Sequence, residues 1–174
     1  LASCISGKVV NVGMDEAPNM LRGKYYDLNG PAKYYDVFMK HLHRVCDLCA
    51  KHGLKPMMWS DMFFRAKNGG DYYAESIDFT DDDRNGIPEK MSLIYWDYRN
   101  EGDSVNCMIK HHQKLSDKLI FAGCARNVRS FGTHLEMTKN ATNTALAECR
   151  REGIKSIFAT VWGDDHRESS TFAI

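Results

Sequence analysis

The feature that most constrains the fold is an alternation of short apolar runs with segments of helical period. The apolar runs are rich in β-branched and aromatic residues and predict strands: KVVNVGM, KPMMWS, MSLIYWDY, KLIFAGCA and IKSIFATVWG. Between them, apolar residues recur three or four positions apart, which predicts helices over about Pro31–Lys51, Ser104–Leu115 and Leu135–Glu152. Strands that alternate with helices form parallel sheets with helical crossovers. Only residues 66–90 have an irregular, Gly-punctuated pattern.

Two architectures satisfy this alternation, an open doubly wound sheet and a (β/α)8 barrel. An open sheet that binds dinucleotides carries a glycine-rich GxGxxG turn after a strand, and this sequence has none. Polar residues instead follow the C-terminal ends of the predicted strands, where barrel enzymes place their active sites. We therefore expect an α/β fold of the TIM-barrel type, with residues 1–174 in a single domain.

Charge and cysteine usage narrow the classes of partner. The 23 basic and 23 acidic residues give a net charge of +0, so nothing indicates binding to nucleic acid. No apolar run approaches the roughly 18 residues of a membrane helix, so we expect no membrane partner. Cys46 and Cys49 form a CxxC inside a helical pattern, with no second cysteine or histidine pair to complete a metal site. We interpret the six cysteines as free, which favours the cytoplasm.

Each of the three tryptophans lies at the end of a predicted strand and is followed within two residues by an aspartate. The pairs are Trp59 with Asp61, Trp96 with Asp97, and Trp162 with Asp164. A single pair of this kind is more typical of packing and turn formation than of a binding site. Three together are more specific, because aromatic faces stack on sugar rings and carboxylates accept hydrogen bonds from hydroxyl groups. The set predicts a carbohydrate pocket.

Two adjacent carboxylates, Asp15 and Glu16, end the first strand. Neighbouring side chains on a strand point to opposite faces, so the pair shares one pocket only if the strand stops and the backbone turns. Gly13 and Pro18 permit such a turn. Close carboxylates at a buried strand end repel one another, which favours a functional role over a structural one.

Four motifs, in the same order as in a known family, carry a more specific resemblance. VGMDEA, PMMWSDMFFR, LIYWDY and FATVWGDD resemble the catalytic domain of glycoside hydrolase family 20, the β-N-acetylhexosaminidases, in its bacterial branch with a GMDEA motif. The resemblance implies that the chain spans about strand four to strand eight of the barrel and lacks the N-terminal part. Five strands of such a ring leave two edges open, so we expect the missing barrel half or self-association to cover them.

The resemblance implies hydrolysis of terminal β-linked N-acetylhexosamine by a retaining, substrate-assisted mechanism, without metal or cofactor. In this family the 2-acetamido oxygen of the substrate attacks the anomeric carbon, so one protein carboxyl serves as acid. Glu16 matches the general acid/base, and Asp15 matches the carboxylate that orients the acetamido N–H. Tyr95 matches the tyrosine that donates to the acetamido oxygen.

Further positions match the sugar pocket of the family, and two depart from it. Asp97 and Asp164 match groups that hold outer hydroxyls, and Trp59 and Trp162 match walls of the pocket. Asn11 stands where the family usually has histidine, and Arg126 stands where an aromatic residue is expected. These departures leave an alternative, a non-catalytic relative that keeps the fold and binds sugar or nothing.

Overall fold

A computed structural model describes residues 2–4, 6–125 and 135–162 of the chain. The strands are β1 (Val9–Asn11), β2 (Lys55–Trp59), β3 (Ser92–Trp96), β4 (Leu119–Cys124) and β5 (Ser156–Thr160). The helices are α1 (Lys24–Asn29), α2 (Tyr34–Lys51), α3 (Asp61–Lys67), α4 (Asp81–Gly86), α5 (Asp103–Leu115) and α6 (Leu135–Arg151). All five predicted strands and the three predicted helices are present.

The five strands form one sheet in the order β1-β2-β3-β4-β5, which is also their order along the chain. The sheet is parallel, with Val9 opposite Lys55 in the first pair of strands and Ile120 opposite Ser156 in the last pair. Helical segments connect the successive strands. This confirms an α/β fold with a parallel sheet and helical crossovers.

The chain divides into two compact units. The first comprises residues 1–93 and 114–118, and the second comprises residues 94–113 and 119–174. In the first unit, Phe38 packs edge to face on Phe63 with 5.3 Å between ring centroids. In the second, Tyr95 packs on Phe121 at 5.4 Å. Each unit therefore has aromatic packing of its own.

Three short helices were not predicted, and one of them lies in the segment expected to be irregular. Helix α4 begins with a capping box, in which the Asp83 N–H donates to Thr80 Oγ1 and the Thr80 N–H donates to Asp83 Oδ2. Lys67 forms an ion pair with the same aspartate. The expectation of irregular structure throughout residues 66–90 is therefore wrong at Asp81–Gly86.

Among the described residues, no helix combines the length and the apolar character needed to cross a membrane. The longest helix in the described part of the chain is α2, with 18 residues. Its buried side chains are Phe38, Leu42 and Cys49, at spacings of four and seven residues. Such spacing is that of an amphipathic helix with one buried face.

Candidate functional site

The turn after β1 carries Asp15 and Glu16 on a backbone of unusual conformation. The strand ends at Asn11, whose side-chain oxygen accepts the N–H of Gly13 at 2.8 Å. Gly13 and Met14 have φ of 71°, and Glu16 has φ of 42°. Left-handed backbone costs non-glycine residues about 1–3 kcal/mol each, so the surrounding structure must hold it in place. The strand stops and the backbone turns, as the adjacent carboxylates require.

The segment from β2 into α3 holds this turn. The Trp59 N–H donates to the carbonyl of Gly13 at 3.2 Å. Further along, the Glu16 N–H donates to Asp61 Oδ2 at 3.1 Å. The backbone of the turn is thus tied at Gly13 and at Glu16 to residues more than forty positions later in the chain.

Arg65 connects the two carboxylates of this region. Its Nε donates to Asp61 Oδ2 at 3.0 Å, and its Nη2 lies 3.4 Å from Glu16 Oε1. Its Nη1 donates to the carbonyl of Gly70 at 2.9 Å. The guanidinium is therefore fixed by three different groups. One of them is the predicted acid/base.

Asp61 is fully buried, and its two oxygens differ. Oδ2 accepts from both Glu16 and Arg65, whereas Oδ1 has no hydrogen-bond partner among the described residues. Burial raises the pKa of Asp61 above its usual range, and the nearby charge of Asp15 adds to this. The hydrogen bonds from Glu16 and Arg65 act in the opposite direction. The Asp61 side chain faces protein rather than solvent. It is therefore better placed to stabilise the turn than to contact a sugar.

The carboxylates of the predicted catalytic pair are exposed. The Glu16 side chain keeps 64% of its accessible surface, and Asp15 is also exposed. The expectation of a buried strand end is therefore wrong. Since water screens charges at the surface, the mutual repulsion of this pair costs less than the sequence argument assumed. Both groups are open to a ligand.

Trp59 stands at the end of β2 and is buried, with 8% exposure. Its backbone supports the Gly13 turn, as described above. The indole thus belongs to the core of the first unit in this structure. Its predicted role as a wall of a sugar pocket stays a prediction.

In the second unit, Tyr95 and Asp97 contact each other. The Tyr95 hydroxyl donates to Asp97 Oδ2 at 2.6 Å, and both residues are buried. Asp97 also accepts from the backbone N–H groups of Arg99 and Asn100, and from the Asn100 side chain at 2.8 Å. The hydroxyl and the carboxylate are therefore engaged with each other and with the following loop. Their predicted contacts to substrate would require these groups to reorient.

The Tyr95 ring lies against α5. His112 is 4.6 Å away between ring centroids and is itself completely buried. Its Nδ1 lies 2.7 Å from the Met108 carbonyl, so Nδ1 carries the proton. Burial lowers the pKa of His112 to about 3, and the charge of His111 adds to the lowering. The histidine is therefore a neutral core residue on helix α5.

The remaining predicted residues are more accessible or fall outside the described structure. The Trp96 ring lies 5.3 Å from that of Tyr98, and Trp162 keeps 39% exposure. Asp164 lies outside the described residues, as does Arg126. The residues of the predicted pocket are therefore divided between the two units, and Asp164 is not among the described residues. Asp15, Glu16, Trp59 and Asp61 lie in the first unit, and Tyr95, Trp96, Asp97 and Trp162 lie in the second.

Arg65 is the residue of this region that sequence reasoning missed. It sits four positions after Asp61 on α3, a spacing at which an acid and a base face each other on a helix. That spacing could have identified the pair of Arg65 with Asp61. The contact of Arg65 with Glu16, 49 positions earlier, has no signal in the sequence.

Comparisons with known proteins add no relative. No family model matches this chain, and no curated protein matches it. Within the described residues, no group of three or more His, Cys, Asp or Glu side chains could hold a metal ion. The geometry of the first unit is therefore the principal guide to function.

Proposed function

We propose that this chain is part of a β-N-acetylhexosaminidase that removes terminal β-linked N-acetylhexosamine with retention of configuration. The observation that carries the proposal is the exposed Asp15–Glu16 pair at the carboxyl end of β1. Catalytic residues of barrel enzymes come from that end of the strands. The proposal includes a (β/α)8 barrel as the complete fold, of which the parallel sheet forms a part.

In the proposed reaction, Glu16 donates a proton to the glycosidic oxygen as the bond to the anomeric carbon breaks. The acetamido oxygen of the substrate attacks the same carbon and forms an oxazolinium ion, while the carboxylate of Asp15 accepts the acetamido N–H. Glu16 then takes a proton from a water molecule whose oxygen bonds to the anomeric carbon. The bond from that carbon to the acetamido oxygen breaks, which opens the oxazolinium ring, and Glu16 is left protonated as at the start. Only Glu16 exchanges protons, and it is the carboxylate held by Arg65.

Unequal surroundings of the two acids support unequal roles. Glu16 has a cation 3.4 Å from one oxygen and a backbone fixed by Asp61. Asp15 accepts no hydrogen bond from the described residues and is exposed, so it is available to orient a ligand group. Neighbouring carboxylates with different environments are the usual arrangement for separate acid and stabilising roles.

The test compares two substrates with the full-length gene product. A nitrophenyl N-acetyl-β-glucosaminide should be cleaved, with the β-anomer as the first product by NMR. The matching nitrophenyl β-glucoside, which has a 2-hydroxyl, should be turned over negligibly because it lacks the internal nucleophile. Glu101→Gln, a change of an exposed acid in the second unit, serves as control and should leave the rate unchanged. Efficient cleavage of the plain glucoside would point to an ordinary two-carboxylate enzyme.

A non-catalytic relative is the second candidate. The buried hydrogen bond between Tyr95 and Asp97 favours it, since both groups are needed at the substrate in the catalytic proposal. This candidate predicts no hydrolysis of either nitrophenyl substrate. It allows saturable binding of N-acetylglucosamine, which calorimetry would detect.

A further inference from the structure

The backbone at Glu16 is held in a conformation that a glutamate rarely adopts. Its φ of 42° lies in the left-handed region, and it follows two residues with φ of 71° at positions 13 and 14. Such conformations persist where neighbouring groups determine them, and they concentrate at functional sites. The question is which groups determine this one.

Asp61 provides the contact at Glu16 itself. The Glu16 N–H is 3.1 Å from Asp61 Oδ2, and the Asp61 side chain has no exposed surface. A carboxylate that accepts from a backbone N–H forms a stronger and more directional bond than a neutral acceptor. A buried acid that reaches 45 positions back along the chain fixes where the Glu16 backbone lies.

Arg65 provides the contact at the Glu16 side chain. Its side chain is only 26% exposed, and Asp61 and the Gly70 carbonyl fix two of its nitrogens. The third nitrogen approaches Glu16 Oε1 at 3.4 Å. No described residue donates a hydrogen bond to Glu16 Oε2. One oxygen is therefore restrained while the other remains available to a ligand.

We propose that Asp61 and Arg65 are positioning residues for Glu16, in which Asp61 fixes its backbone and Arg65 orients its carboxylate. The consequence for catalysis rests on the proposed function, whereas the positioning of Glu16 does not. Asp61 thereby takes a supporting role rather than the sugar-binding role expected from the sequence. If Asp61 and Arg65 only stabilised helix α3, as their four-residue spacing alone would explain, substitution of either residue would have no effect at Glu16.

The positioning itself is tested by amide hydrogen exchange followed by NMR, which needs no activity. In the wild-type protein the Glu16 amide should be protected although its side chain is exposed. Asp61→Asn keeps the shape but replaces the charged acceptor by a neutral one, and we expect exchange at Glu16 to be about tenfold faster. Asp83→Asn is the matched control, because Asp83 is also a buried first-turn aspartate that accepts a backbone N–H and pairs with a cation. Equal exchange at Glu16 in the wild type and Asp61→Asn overturns the proposal.

The catalytic consequence is tested by leaving-group dependence. Arg65→Gln should lower kcat by up to about 10²-fold for substrates with poor leaving groups, because a misplaced acid transfers its proton poorly. Substrates with activated aryl leaving groups should lose much less, and KM should change little. Arg65→Lys keeps the charge and should restore part of the loss. Arg84→Gln, which removes a surface pair with Asp117, is the control and should change neither rate.

The outcomes separate the two proposals. A wild-type protein that hydrolyses neither substrate refutes the proposed function, while the exchange measurements still decide whether Asp61 positions Glu16. Hydrolysis that depends on Glu16, with equal losses on both classes of substrate in Arg65→Gln, refutes the positioning role of Arg65 and leaves the proposed function intact.

Discussion

His112 should make the fold sensitive to mild acid. The side chain is completely buried against Tyr95, and burial lowers its pKa from 6.5 to about 3. Between pH 6.5 and about pH 3, the unfolded chain therefore binds a proton at His112, whereas the folded chain does not. Stability from this residue is fully present above pH 6.5 and is lost as the pH falls through the window from 6.5 to about 3.

The magnitude follows from the width of that window. Each pH unit below the unfolded pKa costs about 1.4 kcal/mol, so the free energy of unfolding should fall by about 2 kcal/mol between pH 8 and pH 5 from this residue alone. His112→Gln removes the titration and should remove that part of the pH dependence, although it also lowers stability at pH 8. Urea denaturation at several pH values, followed by circular dichroism, measures both quantities.

A matched control isolates the effect of burial. His41 is exposed on α2, and His41→Gln should leave the pH dependence as in the wild type. The three proteins differ only at one histidine, so contributions shared by all of them cancel in the comparison. An unchanged slope between pH 7 and pH 5 in His112→Gln would refute the reasoning, because it would mean that the folded protein accepts a proton on this ring.

Four further predictions concern other residues and the whole chain. Glu16→Gln should impair substrates with poor leaving groups about 10²–10⁴-fold while sparing activated aryl substrates, and equal losses on both would contradict its role as acid. Burial and the nearby Asp83 raise the pKa of Tyr35 to about 12, so Tyr35→Phe should retain more of its stability than the wild type as the pH rises from 10 to 12 in urea denaturation. Thr80→Ala removes the cap of α4 and should cost about 1 kcal/mol by the same measurement, against a negligible change for an exposed serine. Light scattering of the purified chain in dilute solution should find self-association, and a monodisperse, cooperatively unfolding monomer of 19.9 kDa would contradict this.

The strands were predictable because their signal is strong. β2 and β4 are almost continuously apolar, and the predicted runs agree with Lys55–Trp59 and Leu119–Cys124 to within one residue at each end. β1 was predicted over seven residues and has three, since the backbone enters the left-handed region at Gly13 and Met14 and cannot continue a strand there. The glycine indicates that a turn is permitted, but it does not fix the residue at which the strand ends.

Short helices were missed for a different reason. α1, α3 and α4 have six or seven residues each, too few for an apolar period to become visible. α4 did carry a readable signal, because Thr80 and Asp83 stand at capping-box spacing. Local chemistry would have identified this helix where periodicity did not.

The candidate site was predictable in its residue types and not in its contacts. The sequence identifies the acids that follow β1 and β2, namely Asp15, Glu16 and Asp61. Which of them are exposed and which are buried depends on how the chain packs. Asp61 is buried because Arg65 and the Glu16 N–H compensate its carboxylate, and one of those groups lies far away in the chain. Likewise, Tyr95 lies on β3 and Asp97 directly follows the end of that strand, a spacing of two residues that permits their hydrogen bond without requiring it.

The outer strands of the sheet are exposed although their sequences match those of the inner strands. Val9 on β1 and Ile157 on β5 keep about half of their surface, whereas Leu93 and Ile94 on β3 keep none. Since all four residues are large and apolar, the difference reflects position in the sheet rather than composition. An apolar edge strand that remains uncovered is a template for pairing with another chain. Additional strands beside β1 and β5 would bury these side chains, which is the physical reason to expect a partner or a larger barrel around this sheet.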